Sequence, residues 1–203
     1  MPYIKPLDRD EIPELKALLD GVETKFGFVP NSMLTMARKP ELVKALVPML
    51  GAVFGPGTVT REIKRLAAFG VSHQAGCQYC VAHMTHGAIH DGIPKDKIVD
   101  LCNSTPQKLT PAEQGVLNVA QGAAKNPNGV NAEDFETLKM YFDDTQIVEI
   151  VAVIAMMGFF NRWNDTMATQ LEQPSIDTAT SVLPRDIWSI GKHGELRGSH
   201  LEK

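Results

Sequence analysis

The sequence predicts an all-α protein, because helical patterns recur along the chain while the alternating pattern of β-strands is scarce. Between Glu11 and Phe26 the apolar residues lie three or four positions apart, as they do on one face of a helix. The motif Thr110-Pro111-Ala112-Glu113 joins a capping box to a proline at the first helical position. These features predict a bundle of helices stacked in antiparallel pairs.

The N-terminal half of the chain divides into helices at glycine and proline residues. Gly27 and Pro30 end the first helix, and Gly55-Pro56-Gly57 separates the third helix from the fourth. Thr60 is placed to cap the fourth helix with its side-chain oxygen. The predicted helices in this half are 11–26, 31–37, 40–54, 61–74 and 77–90.

In the C-terminal half, glycine, proline and capping residues likewise mark the ends of the predicted helices. Asp91-Gly92 ends the helix 77–90, and Pro94 opens the next one. Asn131 and Asp143 are caps for two later helices, the second of which is long and apolar. The predicted helices here are 111–124, 132–141 and 143–171, and the helical periodicity fades after Pro174.

The length of the chain is sufficient for one sizeable core and does not require a second domain. We therefore expect a single domain over residues 1–203. Within it, residues 1–57 form an N-terminal helical arm, residues 58–175 form the helical core, and residues 190–203 form a loose tail.

Composition and charge exclude several classes of protein. The net charge of -4, with no cluster of Lys and Arg, argues against a nucleic-acid partner. The apolar segment 147–160 is too short to span a bilayer, so no membrane association is expected. Three cysteines do not suit an extracellular disulfide framework, and the N-terminus lacks a secretory signal. The prediction is a cytoplasmic protein.

The most informative segment is Cys77-Gln78-Tyr79-Cys80, which begins a predicted helix and is followed by His83. A thiol at a helix N-terminus lies at the positive end of the helix dipole, which favours its thiolate. The second thiol follows one turn later, close enough to form a disulfide with the first. The pattern indicates a redox-active cysteine pair.

Helix geometry arranges these side chains in order. At about 100° per residue, Cys80 lies about 60° around the helix from Cys77, and His83 lies about 60° further in the same sense. This arrangement suggests Cys80 as the nucleophile and His83 as its proton acceptor. Cys77 is then the resolving thiol that closes a disulfide after Cys80 is oxidised to a sulfenic acid.

Two other interpretations of the segment stay open. A metal site would use Cys77, Cys80 and His83, with His86 as a further ligand, but no second Cys-x-x-Cys motif follows to complete it. A purely structural cysteine pair is the other alternative. We expect no bound metal and no cofactor, and we interpret His86 and His90 as part of a solvated or interface surface.

At these residues the chain resembles the alkylhydroperoxidase-D-like family, also called the carboxymuconolactone decarboxylase family, in its peroxidase-related branch. The resemblance extends over the segments 26–31, 77–83 and 159–165. It implies an all-helical bundle of the alkylhydroperoxidase-D-like type, assembly into trimers or larger rings, and thiol-dependent peroxide reduction. It also implies a small hydroperoxide substrate and a dithiol or lipoyl-type electron donor.

The resemblance assigns the family's cysteines to Cys77 and Cys80, with Cys80 attacking the peroxide. The family's catalytic His falls on Met84, so His83 is its nearest replacement. The family's catalytic Glu falls on Arg65, and Glu62, one turn earlier, is the candidate substitute. Arg65 itself is a cation that could favour a thiolate.

The predicted function is therefore a thiol peroxidase or disulfide oxidoreductase acting through Cys77, Cys80, His83 and Glu62, in a homo-oligomer such as a trimer or hexamer. One alternative is a lactone decarboxylase, although members of the family with that chemistry do not rely on a cysteine pair. The other is a catalytically weak metal-binding or assembly protein. Cys102 is interpreted as a buried small apolar residue.

Overall fold

The computed structural model describes residues 2–194, which form ten α-helices and three short 3-10 turns, with no strand among them. The predicted all-α class is confirmed. The helices are α1 (Lys16–Phe26), α2 (Asn31–Met36), α3 (Pro40–Phe54), α4 (Arg61–Gln74), α5 (Gln78–His90), α6 (Lys95–Asp100), α7 (Pro111–Ala124), α8 (Ala132–Lys139), α9 (Asp144–Met167) and α10 (Gln173–Val182).

The helix ends follow the capping signals in the sequence. Thr110 and Glu113 form the predicted capping box at the start of α7, and the Asn131 side chain accepts hydrogen bonds from backbone amides at the start of α8. Gly27 ends α1 with a φ of 83°, a left-handed conformation that favours glycine. Local sequence therefore determines where these helices begin and end.

Helix α4 lies at the centre of the bundle and packs against α5, α7 and α9. The approach to α7 depends on Gly70, where an added Cβ would lie 2.7 Å from Leu117 Cδ1. Phe69 and Val71 beside it are almost fully buried. The N-terminal helical arm contributes to the same core through Leu19 of α1 and Val43 of α3, both fully buried.

Helix α9 is long and apolar enough, by length and composition alone, to cross a membrane. In the fold it is a core helix instead, because it packs against α3, α4, α5 and α7. Ile150 and Val153 are fully buried on its inner face.

Helices α4 and α5 form an antiparallel hairpin that determines the position of the functional residues. A tight turn at Gly76, with a φ of 71°, connects them. At the opposite end, Arg61 and Arg65 of α4 form ion pairs with Asp91, which follows α5. The start of α4 therefore lies beside the end of α5, away from its N-terminus.

The segment after α9 is more ordered than its sequence predicts. Residues 173–182 form α10, where no helical periodicity was evident, because the Pro174 ring suits a first turn. Within the predicted loose tail 190–203, Gly191–His193 forms a 3-10 turn and His193 is buried. The rest of that predicted tail, residues 195–203, lies outside the described residues.

The loop before α4 is fixed to α9 by a carboxylate, and this contact predicts an effect on acid stability. Glu149 accepts 2.7 Å hydrogen bonds from the Thr58 backbone amide and hydroxyl, and pairs with Lys64 at 3.1 Å. These contacts, led by the Thr58 amide, lower the pKa of Glu149 from 4.5 to about 2. The ionised form thus stabilises the fold above about pH 4.5, and this contribution is lost as the pH falls toward about 2.

We therefore expect Glu149→Gln to lower the melting temperature by a few degrees at pH 7. The difference from the unmodified protein should shrink as the pH approaches about 2. Thermal melts across this range test it, with Glu136→Gln as the control because that residue has only an exposed ion pair with Lys139. A constant difference at every pH would contradict the assignment.

Candidate active site

The two cysteines of the motif lie together at the N-terminus of α5, and both are free thiols. Cys77 is the residue that caps the helix, and Cys80 lies in the first turn. Their exposed fractions are 0% and 2%. The pair is therefore placed at the positive end of the helix dipole but is shielded from bulk solvent.

The surroundings shift the pKa values of the two thiols in opposite directions. The pKa of Cys77 is lowered, chiefly because the Cys80 thiol donates toward its sulfur, an effect that outweighs burial. The pKa of Cys80 is raised well above its usual value, first by burial and then by Cys77. In the reduced pair the negative charge is therefore favoured on Cys77, and Cys80 retains its proton.

His83 lies one turn along α5 and is held by a carboxylate from a distant part of the chain. Its Nε2 is 2.6 Å from Oε2 of Glu172, which precedes α10. Because a carboxylate only accepts hydrogen bonds, Nε2 carries the proton and Nδ1 is the nitrogen able to exchange one. The ring also stacks on Tyr79 at 4.3 Å and meets the edge of Phe28 at 5.5 Å.

Glu172 is itself held by two further donors. The Tyr79 hydroxyl donates to its Oε1 at 2.9 Å, and the Asn31 backbone amide donates to the same oxygen. Burial raises the pKa of Glu172, but His83 and the Asn31 amide outweigh this and the net pKa is lowered. Glu172 is thus ionised and fixes the orientation and tautomer of His83.

The Asn164 side chain, from helix α9, donates a hydrogen bond to Cys80. Its Nδ2 lies 3.5 Å from Cys80 Sγ, and the residue is 1% exposed. Asn161, three residues earlier, donates instead to the Val71 carbonyl. The Asn164 amide donor lowers the pKa of Cys80 and so opposes part of the effect of burial.

Glu62 does not lie at the cysteine pair, so its proposed catalytic role is corrected. Its carboxylate is half-exposed and pairs with Lys97 at 2.7 Å. Glu62 begins α4, and the antiparallel hairpin places that end beside the end of α5, about 15 Å along the helix from Cys80. The carboxylate that contacts His83 is Glu172, 89 positions further along the chain.

Arg65, which the sequence suggested as a cation that favours a thiolate, also lies away from the cysteine pair. Its guanidinium pairs with Asp91 at 2.6 Å and packs against Gly87, where an added Cβ would lie 2.7 Å from Arg65 Cζ. It is therefore a structural cation at the far end of the hairpin. Met84, at the family's histidine position, is buried in the core.

The predicted metal alternative is weakened by the histidine positions. His83 is bonded to Glu172, His86 Nδ1 lies 2.9 Å from the Thr178 hydroxyl, and His90 is exposed. Within residues 2–194 no group of three or more His, Cys, Asp or Glu side chains converges as a metal site would require. The arrangement instead combines a dithiol with a carboxylate-held imidazole, which is suited to proton-coupled thiol chemistry.

Comparison with known proteins identifies the family of the chain. A model of the carboxymuconolactone decarboxylase family matches residues 40–122. The structure of a Cys-to-Ala variant of the debrominase Bmp8, in complex with 2,3,4-tribromopyrrole, superposes with a TM-score of 0.80 at 30% identity. The match covers 88% of this chain and 96% of the debrominase. This chain belongs to the alkylhydroperoxidase-D-like, or carboxymuconolactone decarboxylase, family.

Other solved structures share the alkylhydroperoxidase-D-like fold. A peroxidase-related protein from Ralstonia eutropha JMP134 with an alkylhydroperoxidase AhpD core has a TM-score of 0.74 at 24% identity, covering 86% of this chain and 94% of that one. A peroxidase-related protein from Silicibacter sp. TM1040 has a TM-score of 0.70 at 21% identity, covering 85% and 90%. At these identities the likeness concerns the fold. No curated protein matches the chain.

Proposed function

We propose that this protein is a thiol-dependent peroxidase and disulfide oxidoreductase that reduces small hydroperoxides through Cys77 and Cys80. The observation that carries the proposal is the position of both thiols at the start of α5, with the Asn164 amide on Cys80 and the carboxylate-held His83 one turn away. Burial of both sulfurs favours a small substrate.

The first step is attack by Cys80 on the peroxide. Cys80 passes its proton to the neighbouring Cys77 thiolate, and the Asn164 amide stabilises the new thiolate. The Cys80 sulfur bonds to one peroxide oxygen and the O–O bond breaks. The leaving oxygen takes the Nδ1 proton of the His83 imidazolium, which becomes neutral and still donates from Nε2 to Glu172. The products are an alcohol or water and a Cys80 sulfenic acid.

The second step closes the disulfide. The Cys77 sulfur, after losing its proton, attacks Cys80, the S–S bond forms, and hydroxide leaves as water once protonated. A dithiol donor then reduces the disulfide, with a lipoyl-type group as the proposed physiological donor. Such a cycle suits a reducing cytoplasm, where we place the protein, and requires neither nucleic acid nor a membrane.

A peroxide-consumption assay tests the proposed function. The protein is mixed with hydrogen peroxide or a small organic hydroperoxide, with dithiothreitol or dihydrolipoamide as donor. We expect loss of peroxide, with one equivalent of donor oxidised for each equivalent consumed. No consumption above the rate of the donor alone, with every peroxide and donor tried, would refute the proposal.

A second candidate activity is reductive removal of a halogen from an aromatic ring. The 30% identity to the debrominase Bmp8 favours it, as do the Phe28 and Tyr79 rings beside His83. In such a reaction a carbon–bromine bond is replaced by a carbon–hydrogen bond, two thiols become a disulfide, and bromide and a proton are released. Measuring bromide release from a polybrominated pyrrole with a dithiol present distinguishes this activity from the first.

We also propose that the protein is a homo-oligomer, such as a trimer or hexamer. The outer face of α9 has an exposed apolar stripe at Val148, Val151 and Phe159, with exposed fractions of 68%, 37% and 40%. Met49 on the adjacent α3 is 57% exposed. A second copy of the chain is the proposed occupant, because the family resemblance implies self-assembly and the stripe is apolar along its length.

Phe159→Glu is expected to reduce the oligomer to smaller species, because it places a charge within the apolar stripe. Light scattering after size-exclusion chromatography measures the molar mass. Ser104→Glu, an exposed loop position, serves as the control. A monomeric unmodified protein, or an unchanged mass in Phe159→Glu, would contradict this role of the stripe.

A further inference from the structure

The mechanism above leaves one buried histidine without a role. His193 is 1% exposed and lies in the 3-10 turn Gly191–His193. Its Nδ1 is 2.8 Å from the Thr169 carbonyl oxygen. Since a carbonyl only accepts, Nδ1 carries the proton and the neutral ring presents a basic lone pair at Nε2. Among the described residues, that buried Nε2 has no hydrogen-bond partner.

The surroundings of His193 can stabilise a proton on Nε2. Oδ1 of Asp165 lies 3.9 Å from this nitrogen, and the same oxygen pairs with Lys192 at 2.8 Å. The Tyr79 ring, between the two cysteines in sequence, lies 5.8 Å from the His193 ring. Burial lowers the pKa of His193 and keeps the imidazole neutral at rest, while the Thr169 carbonyl and Asp165 oppose this effect and favour the protonated ring.

The same charged groups act on the cysteine pair. Asp165 raises the pKa of Cys77 and Lys192 lowers it. Asp165 also raises the pKa of Cys80. The turn that contains His193 packs against α5, whose first residue, Gln78, accepts a hydrogen bond from Trp188 at 3.0 Å. His193 and its neighbours therefore lie around the N-terminus of α5, where Cys77 is located.

We propose that His193 is the proton acceptor for Cys77 in the resolving step. This inference rests on the proposed two-step thiol cycle, in which Cys77 has received the proton of Cys80 and must lose it before attack. His193 Nε2 takes that proton, Asp165 stabilises the imidazolium, and the Cys77 thiolate attacks the Cys80 sulfenic acid. The imidazolium then protonates the departing hydroxide, which leaves as water.

His83 is poorly placed for this task. Its Nε2 is already bonded to Glu172, and it lies one turn beyond Cys80, whereas Cys77 is at the helix start. The two histidines therefore have different roles in proton transfer. His83 delivers a proton to the leaving oxygen, and His193 accepts the proton from the resolving thiol.

The decisive experiment measures Cys77 ionisation without requiring peroxide turnover. In a Cys80→Ala background, which removes the neighbouring thiol, alkylation of Cys77 by iodoacetamide is followed against pH by peptide mass spectrometry. His193→Asn is then added, because its amide can still donate to the Thr169 carbonyl but provides no base. We expect alkylation at pH 7 to slow about tenfold and the midpoint to rise by about one pH unit.

Trp188→Phe in the same background is the matched control. It removes the hydrogen bond to the Gln78 carbonyl, and so loosens the same segment, but it leaves the His193 base in place. We expect its midpoint to stay unchanged. An unchanged midpoint in His193→Asn, or faster alkylation at every pH, would overturn the inference and show that His193 only covers the pair.

The result of the alkylation experiment can be distinguished from a failure of the proposed peroxidase function. Should the unmodified protein fail to consume peroxide, the peroxidase proposal fails, while the alkylation profile still reports whether His193 accepts the Cys77 proton. In an active enzyme, His193→Asn should also accumulate the Cys80 sulfenic acid, trapped by dimedone, and recover disulfide formation at higher pH.

Discussion

A Cys80→Ser variant is expected to lose dithiol-dependent peroxide consumption completely, down to the rate of the donor alone. The hydroxyl of serine is a far weaker nucleophile than a thiolate, and no sulfenic acid can form in its place. The volume change is small, so the buried position next to Asn164 should still pack. Peroxide loss with dihydrolipoamide as donor measures the effect.

Two further cysteine variants make this result specific. Cys102→Ser should retain full activity, because Cys102 lies outside the site and burial raises its pKa to about 12, which makes it a poor thiolate. Cys77→Ser should accumulate a Cys80 sulfenic acid, because the resolving thiol is missing. Full turnover in Cys80→Ser, with loss in Cys77→Ser, would reverse the roles of the two thiols.

Glu172→Gln is expected to lower kcat/KM by about 100-fold, because general acid–base help is typically worth 10²–10⁴-fold and His83 would lose the carboxylate that orients it. It should also lower the free energy of unfolding by about 1–3 kcal/mol, since buried donors on His83 and Tyr79 lose a charged acceptor. Steady-state kinetics and denaturant unfolding measure the two effects separately.

Glu62→Gln is the matched control for this prediction. It makes the same chemical change at the residue that the sequence indicated, and its half-exposed carboxylate pairs with Lys97. We expect nearly unchanged kcat/KM and a change in stability of less than about 1 kcal/mol. The opposite pattern, with Glu62→Gln inactive and Glu172→Gln active, would contradict the assignment of the carboxylate.

The helices and the cysteine pair could be predicted from sequence because their causes are local. A capping side chain such as Thr110 or Asn131 acts on backbone amides two or three residues away. Cys77 and Cys80 are close because any two residues three apart in a helix are close. His83 follows from the same periodicity. None of these relations depends on how the helices pack.

The carboxylate partner could not be predicted in this way. Glu172 meets His83 only through the packing of the segment before α10, and its own neighbourhood shows no helical pattern. Glu62 seemed suitable because it precedes the cysteines on the neighbouring helix, but an antiparallel hairpin sends it to the opposite end. Asn164 carried a weak signal, as a polar residue in an otherwise apolar helix, and His193 carried none.

The central claim, that Cys77 and Cys80 cycle between dithiol and disulfide, is tested most directly by mass spectrometry. The reduced protein is treated with one equivalent of peroxide, alkylated without reductant and digested. The account predicts a bond between Cys77 and Cys80 that dihydrolipoamide removes, with Cys102 alkylated throughout. Recovery of both cysteines as alkylated thiols, or oxidation confined to Cys102, would contradict it.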